Sequence, residues 1–373
     1  MTRLTCRATK GMTAMSLKSE IAKPIDVLNM TLDELKKKLH AAGIELYRAD
    51  QIHQWIFGKS VYEFDKMTNL SEDLRNRLKE LFVIGIPKEV TREVSVGDKS
   101  VKLLLKLNEK DSVEAVYMPM KERRTICISS QVGCKFHCAF CASGQDGFFR
   151  NLKVGEILSQ VLLARDLSPN KKISNIVFMG IGEPFDNYPE LLKTIRMLNS
   201  KNALNIGARK ITVSTCGIIP KIEMLAEEGL QVELSISLHG PNDSVRGALM
   251  PVNTAYPVKA LIETCKKYVK KTGRAITFEY ILVKGVNASD NEANQLARLL
   301  KGMLCKVNLI PYNPIAEFPH VAPTYEEVVR FQQILQKFGV KTTVRFSKGR
   351  DIQAACGQLR SVHQKREKRK DKR

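Results

Sequence analysis

No stretch of this 373-residue chain approaches the roughly 18 uninterrupted apolar residues of a membrane-spanning helix, so it does not read as a bilayer protein. The opening segment also lacks the apolar core of a secretory signal. Residues 1–24 hold Arg3, Arg7, Lys10 and Lys18 among Ser and Thr, with Glu20 the single acid. That argues against secretion, and nine cysteines without a secretory signal argue against a disulfide scaffold. They point to metal binding or redox chemistry in a reducing compartment, with the cytoplasm as the expected location. The Arg-rich leader reads as a disordered extension, an organellar transit peptide, or a stretch preceding a true start at Met12 or Met15. Acidic residues are scarce as well: 39 Asp and Glu against 60 Lys and Arg leave a net charge of +21. The tail "KREKRKDKR" (365–373) supplies only part of this excess, so the body is basic too. Nucleic acid is the partner such a charge favours, because Lys and Arg that neutralise phosphates release counterions.

The length suits a large catalytic domain with one or two smaller ones. From Thr31 to Phe82 apolar residues recur at helical spacing, and Thr31 with Glu34 fits a capping box. Trp55 and Tyr47 in this unit are read as core packing. The span from Glu89 to Met118 alternates, with "VGDK" as a hairpin turn, and reads as a short antiparallel element. After Cys127, short β-branched runs alternate with amphipathic stretches: "ICISSQ", "ISNIVFMG", "KITVSTCG", "VELSISLHG", "AITFEYILV" and "CKVNLIPYN". Six such βα units make an α/β chain with a parallel sheet curved into a partial or complete barrel. In such barrels the loops after strand C-termini build the site. A further helix from Tyr325 to Phe338 and a strand near 340–346 lead into "DIQAACGQL".

In "CISSQVGCKFHCAFC" four of the nine cysteines fall within fifteen residues. Thiolates are soft ligands for zinc or iron–sulfur clusters. Zinc would want four ligands, with Cys127 or His137 completing Cys134, Cys138 and Cys141. A [4Fe-4S] cluster held by three cysteines instead keeps one iron open for the amino and carboxylate groups of S-adenosylmethionine.

With its flanking residues the C-x3-C-x2-C loop resembles the radical S-adenosylmethionine (radical SAM) superfamily. "SSQVGCKFHCAFCASG", "FMGIGEP", "ISLHGPND", "NLIPYNP" and "AACGQL", in this order, resemble the RlmN/Cfr family of RNA adenine methyltransferases over about residues 25–362. The resemblance implies a helical accessory domain (25–88), a β linker element (89–122), a partial (βα)6 radical SAM barrel (123–315) and a C-terminal extension (316–362), with the leader (1–24) and basic tail (363–373) outside. It implies Cys134, Cys138 and Cys141 as cluster ligands. It also implies Gly182, Glu183, Ser214, Ser237, Leu238, His239 and Asn313 as S-adenosylmethionine contacts. By the same resemblance Cys356 accepts a methyl group from one S-adenosylmethionine, and a radical made from a second activates that methyl for addition to adenine. Glu114 then removes the ring proton, and Cys127 releases the RNA by forming a disulfide with Cys356. The implied substrates are adenosine carbon 2 in 23S ribosomal RNA, at the peptidyl-transferase centre, and in transfer RNA next to the anticodon. The implied setting is a monomer served by an external, flavodoxin-type electron donor. Carbon-8 methylation of adenosine, the antibiotic-resistance reaction, is the nearest alternative. A zinc-nucleated, non-catalytic RNA-binding or ribosome-assembly protein is the alternative from another class. Cys216, where relatives often carry Ser or Ala, reads with Cys265 and Cys305 as a buried small residue.

Overall fold

The computed structural model describes residues 24–145 and 147–352; the expectations for the leader, the basic tail and Cys356 lie outside them. The N-terminal unit begins and ends in a parallel pair, β1 (Ile25–Asp26) with β2 (Phe82–Val83). Between them lie helices Leu32–Ala41, Tyr47–His53 and Glu72–Leu81. The capping box is present in both directions: the Glu34 N–H donates to Thr31 Oγ1 and the Thr31 N–H to Glu34 Oε2. The unit is fastened to the rest of the molecule by buried polar contacts. Asn29 Oδ1 accepts from the Gly155 N–H at 2.8 Å, and the buried Arg165 guanidinium donates to the carbonyls of Ile56 and Phe57. Helix Val154–Asp166, which carries Gly155 and Arg165, is therefore covered on nearly all sides rather than along one stripe. Tyr47 departs from the core reading: standing in the first turn of its helix, it is exposed, with the Arg48 guanidinium 4.6 Å from its ring centre.

One ten-stranded sheet organises everything else. Its antiparallel part comprises β3 (Lys88–Val94), β4 (Val101–Lys106) and β5 (Ser112–Pro119), followed by β6 (Arg124–Cys127). A side ribbon follows in the chain, β7 (Gln131–Gly133) against β8 (Phe148–Asn151). Parallel strands then continue outward from β6: β9 (Asn175–Phe178), β10 (Ile211–Thr215), β11 (Glu233–Ser237), β12 (Ile276–Leu282), β13 (Cys305–Pro311) and β14 (Lys341–Val344). β3 and β14 end the order without pairing to each other, so the barrel is partial. The six anticipated βα units are present, and β14 adds a seventh parallel strand.

The first barrel strand is shorter than "ICISSQ" suggests. Beyond Cys127 the chain leaves the ladder because its backbone groups go elsewhere: the Ser129 N–H donates to Gln160 Oε1 at 2.8 Å and its carbonyl accepts from Gln160 Nε2 at 3.0 Å. After β14 the chain crosses back to the turn between β3 and β4. There the Asp351 carboxylate accepts from Ser95 Oγ and the Val96 N–H, both at 2.8 Å, and the Gly349 N–H donates to Asp98 Oδ2 at 2.9 Å.

Candidate active site

The strand ends gather around a cavity of about 340 Å³. Cys134, Cys138 and Cys141 form part of its wall, on the loop between β7 and β8. That loop is held by its backbone: Cys134 N–H donates to the Gly147 carbonyl at 2.9 Å and Ala139 N–H to the Leu249 carbonyl at 2.9 Å. Burial pushes the Cys134 thiol up to about 12 and also raises Cys138 and Cys141; charge on the neighbouring cysteines raises Cys134 and Cys138 further. The Phe136 N–H to Cys134, and the Ser143 and Gly144 N–H groups to Cys141, oppose the rise. Three thiols that cannot ionise cheaply alone, two of them receiving N–H donors, suit a cationic metal centre that would hold them as thiolates.

Facing them are Gly182, Glu183, Ser214, Ser237, His239 and Asn313, all in the cavity wall. The Glu183 carboxylate ties two strand ends together, Oε1 accepting from the Phe185 N–H at 2.9 Å and Oε2 from the Cys216 N–H at 2.7 Å. Any ligand ammonium must share these oxygens. Burial raises the Glu183 pKa and the amide hydrogen bonds oppose the rise. His239 has a left-handed backbone, φ +55°, braced by Asn287 donating to its carbonyl at 2.8 Å. Its Nδ1 accepts from the Ile281 N–H at 3.0 Å, so the neutral ring carries its proton on Nε2. Burial, helped by the Arg246 charge, drops His239 to about 3. Asn313 Nδ2 donates to Ser347 Oγ. Leu238 departs from the expected set. Lying between Ser237 and His239, it is fully buried outside the cavity wall, and its N–H is spent on the Glu279 carbonyl.

Two polar residues of the site escaped the sequence reading. Glu279, on β12, lines the cavity with its Oε1 accepting from Asn308 Nδ2 at 3.0 Å and Ser235 Oγ at 3.4 Å. The buried amide of Gln131 joins three segments, accepting from the Glu183 N–H and donating to Asn151 and Asp186. Cys216 is buried as expected, and it also lines the cavity; Cys265 and Cys305 are buried in the core.

Glu114 and Cys127 stand beside the cysteine loop. Cys127 pairs with Val116, two residues along β5 from Glu114, which puts both side chains on one face of the sheet. Burial pushes the Cys127 thiol up to about 12; the Met179 N–H opposes this and the Glu114 charge adds to it. Glu114 acts in the same direction on Cys141.

Residues 25–84 match the family model for the ribosomal RNA large subunit methyltransferase N-terminal domain, and residues 128–297 match that for the radical SAM superfamily. A relative from Clostridium tetani, named a probable dual-specificity RNA methyltransferase RlmN, is 48% identical over 336 residues, covering 90% of this chain and 96% of its own. A relative of the same name from Geobacillus thermodenitrificans is 46% identical and covers 92% of this chain and 94% of its own. The chain belongs to the RlmN family. The solved structure of a radical SAM methyltransferase from Sphaerobacter thermophilus agrees, with a TM-score of 0.87 at 44% identity over 90% of this chain and 99% of that one. The RlmN family is a radical SAM family, which implies a [4Fe-4S] cluster and S-adenosylmethionine. The three half-buried thiols opposite a polar wall fit both. No helix among the described residues is long and apolar enough to cross a membrane.

Proposed function

We propose that this chain methylates carbon 2 of adenosine in 23S ribosomal RNA, at the peptidyl-transferase centre, and in transfer RNA, next to the anticodon. What supports the reading is that Glu114 and Cys127 share one face of the sheet, behind the cavity wall, with the Glu114 charge felt by Cys141, in a chain nearly half identical to proteins named dual-specificity RNA methyltransferases. A carbon flanked by two ring nitrogens is a poor nucleophile, so direct methyl transfer to it is closed. When bound through Cys134, Cys138 and Cys141, the cluster supplies the electron that cleaves S-adenosylmethionine.

The chain's own residues supply the rest. Gly182, Glu183, Ser214, Ser237, His239 and Asn313 hold the S-adenosylmethionine, with His239 offering an Nε2–H donor because its Nδ1 is spent. Cys356 accepts the methyl group from one S-adenosylmethionine and a second is consumed for activation, two per turnover. Glu114 takes the ring proton once the new carbon–carbon bond has formed. Cys127 then attacks the Cys356 sulfur, freeing the methylated RNA and leaving a disulfide that external reductant reopens. Burial pushes the Cys127 thiol up to about 12, so it rests protonated; the proton it gives up as it attacks balances the one that the carbon released from sulfur gains in becoming the methyl group. Recognition combines phosphate contacts from the basic surface with extrusion of the target base. The setting is a cytoplasmic monomer supplied by a flavodoxin-type donor.

Mass spectrometry of digested ribosomal and transfer RNA, from a strain lacking the gene and from its complemented counterpart, tests the proposal. Gene-dependent 2-methyladenosine in both RNAs is expected. Gene-dependent 8-methyladenosine would overturn the regiochemistry, and no change in either nucleoside would overturn the activity.

A further inference from the structure

The ribbon β7–β8 beside the cysteine loop exposes two phenylalanines. Phe148 is 41% exposed and Phe149 58% exposed. Adjacent residues on a strand normally face opposite ways, but here the register slips: Val132 pairs with Arg150 and Gly133 with Phe148, leaving Phe149 as the extra residue of a bulge. Gly133 permits this fold-over. Its φ is +74°, and a Cβ there would lie 1.9 Å from the Gly147 carbonyl oxygen and 3.1 Å from the Phe149 ring.

The ribbon is also stiff. The Arg150 guanidinium makes a two-pronged pair with Glu156, both contacts at 2.8 Å, and a further bond to Asp111 at 2.7 Å. Gln131 Nε2 donates across the ribbon to Asn151 at 2.8 Å. The platform is continuous with the cavity mouth through charged and aromatic groups. Lys135 Nζ lies 5.9 Å from the Phe148 ring centre and 5.8 Å from that of Phe136, itself a cavity-wall residue, while Asp186 anchors the ammonium at 2.5 Å. Two exposed aromatic rings on a braced ribbon, with an adjacent cation, in a chain of net charge +21, have the make-up of a stacking platform for unpaired nucleotides.

We propose that Phe148 and Phe149 stack on the bases flanking the extruded adenosine, with Lys135 contacting the phosphate between them, so that the ribbon holds the RNA strand open at the cavity mouth. The inference rests on the RNA-methylating function above and deepens it. Stacking one base on an aromatic side chain contributes about 1–3 kcal/mol, which predicts roughly a 5- to 150-fold loss of affinity per aromatic removed.

The test measures binding of cluster-loaded protein to a stem-loop RNA that the wild type methylates, alongside the same RNA with an abasic site at each neighbour of the target adenosine. Phe149→Ala should bind the intact RNA about tenfold more weakly and Phe148→Ala/Phe149→Ala more weakly still, with iron content and S-adenosylmethionine affinity unchanged. Phe149→Trp should retain binding. The abasic sites should weaken the wild type but cost the double variant little more. Wild-type RNA affinity in the double variant, or an abasic penalty undiminished in it, overturns the proposal. So does unchanged RNA affinity combined with slower reduction by a flavodoxin but not by dithionite, which would assign the platform to the electron donor. A wild-type protein that binds and methylates no RNA would instead sink the function on which the inference rests.

Discussion

Replacing Gly182 with alanine should strike the cofactor pocket through its backbone. Gly182 sits at φ +100°, a region that costs a residue with a Cβ about 1–2 kcal/mol. The added carbon would also land 2.5 Å from Gln131 Cβ and 2.9 Å from its backbone nitrogen. Gln131 cannot retreat without cost, because it is fully buried and its amide bonds Glu183, Asn151 and Asp186 at 2.8–2.9 Å. Crowding of this kind adds about 1–3 kcal/mol, for a total of about 2–5 kcal/mol. Gly273→Ala is the matched control. Gly273 caps a helix at φ +67° with nothing within 4 Å of the added carbon, so it should show the backbone cost alone. Urea denaturation of both variants, together with S-adenosylmethionine affinity by equilibrium dialysis on iron-loaded protein, separates the contributions. Gly182→Ala should lose more stability and bind S-adenosylmethionine more weakly, whereas Gly273→Ala should bind it normally. Equal midpoints with unchanged affinity in both would show that the Gln131 clamp does not set the pocket's shape.

Three other outcomes are expected. Replacing any of Cys134, Cys138 or Cys141 with alanine should abolish iron incorporation on anaerobic reconstitution and cleavage of S-adenosylmethionine together; stoichiometric zinc in place of iron would contradict the cluster assignment. Cys127→Ala should still alkylate RNA through Cys356 and then stall, giving a slow-migrating, nuclease-sensitive band on a denaturing gel, while normal turnover without an adduct would relegate Cys127 to a structural role. His239, chiefly through burial, titrates near 3 in the native protein instead of at the ordinary 6.5. The unfolded chain therefore binds a proton that the native state refuses as pH falls below about 6.5, and stability drops progressively toward pH 3. His239→Gln should lose less stability than the wild type between pH 7 and 5, and identical slopes in urea midpoint against pH would refute this.

Features with a local cause were legible in the sequence. The thiol spacing marked a loop that lines the cavity, the β-branched runs marked the parallel strands, and Thr31 with Glu34 marked a helix start that the hydrogen bonds reproduce. What escaped depends on neighbours distant in the chain. Glu279 sits inside "ITFEYIL", which reads as an ordinary strand; it becomes a site residue because β11 and β13 bring Ser235 and Asn308 to its carboxylate. Gln131 was part of a recognised motif, yet its bonds reach residues up to 55 positions away. Leu238 lay in a motif too, yet it follows the last residue of β11 and its N–H is taken by the Glu279 carbonyl on the neighbouring strand. Tyr47 misled for the opposite reason: a large ring at helical spacing resembles core, but its place in the first turn leaves it outside.

The bonds from Asp351 and Gly349 to the β3–β4 turn fix one end of the segment that follows β14. That end matters because β3 and β14 lie at opposite ends of the sheet order, so the two edges are joined by side-chain and amide bonds where no ladder joins them. The segment so held also carries Ser347, which accepts from Asn313 in the cavity wall. Loosening the turn with Ser95→Ala and Asp98→Ala together would therefore be felt at the cavity without altering a single residue of its wall.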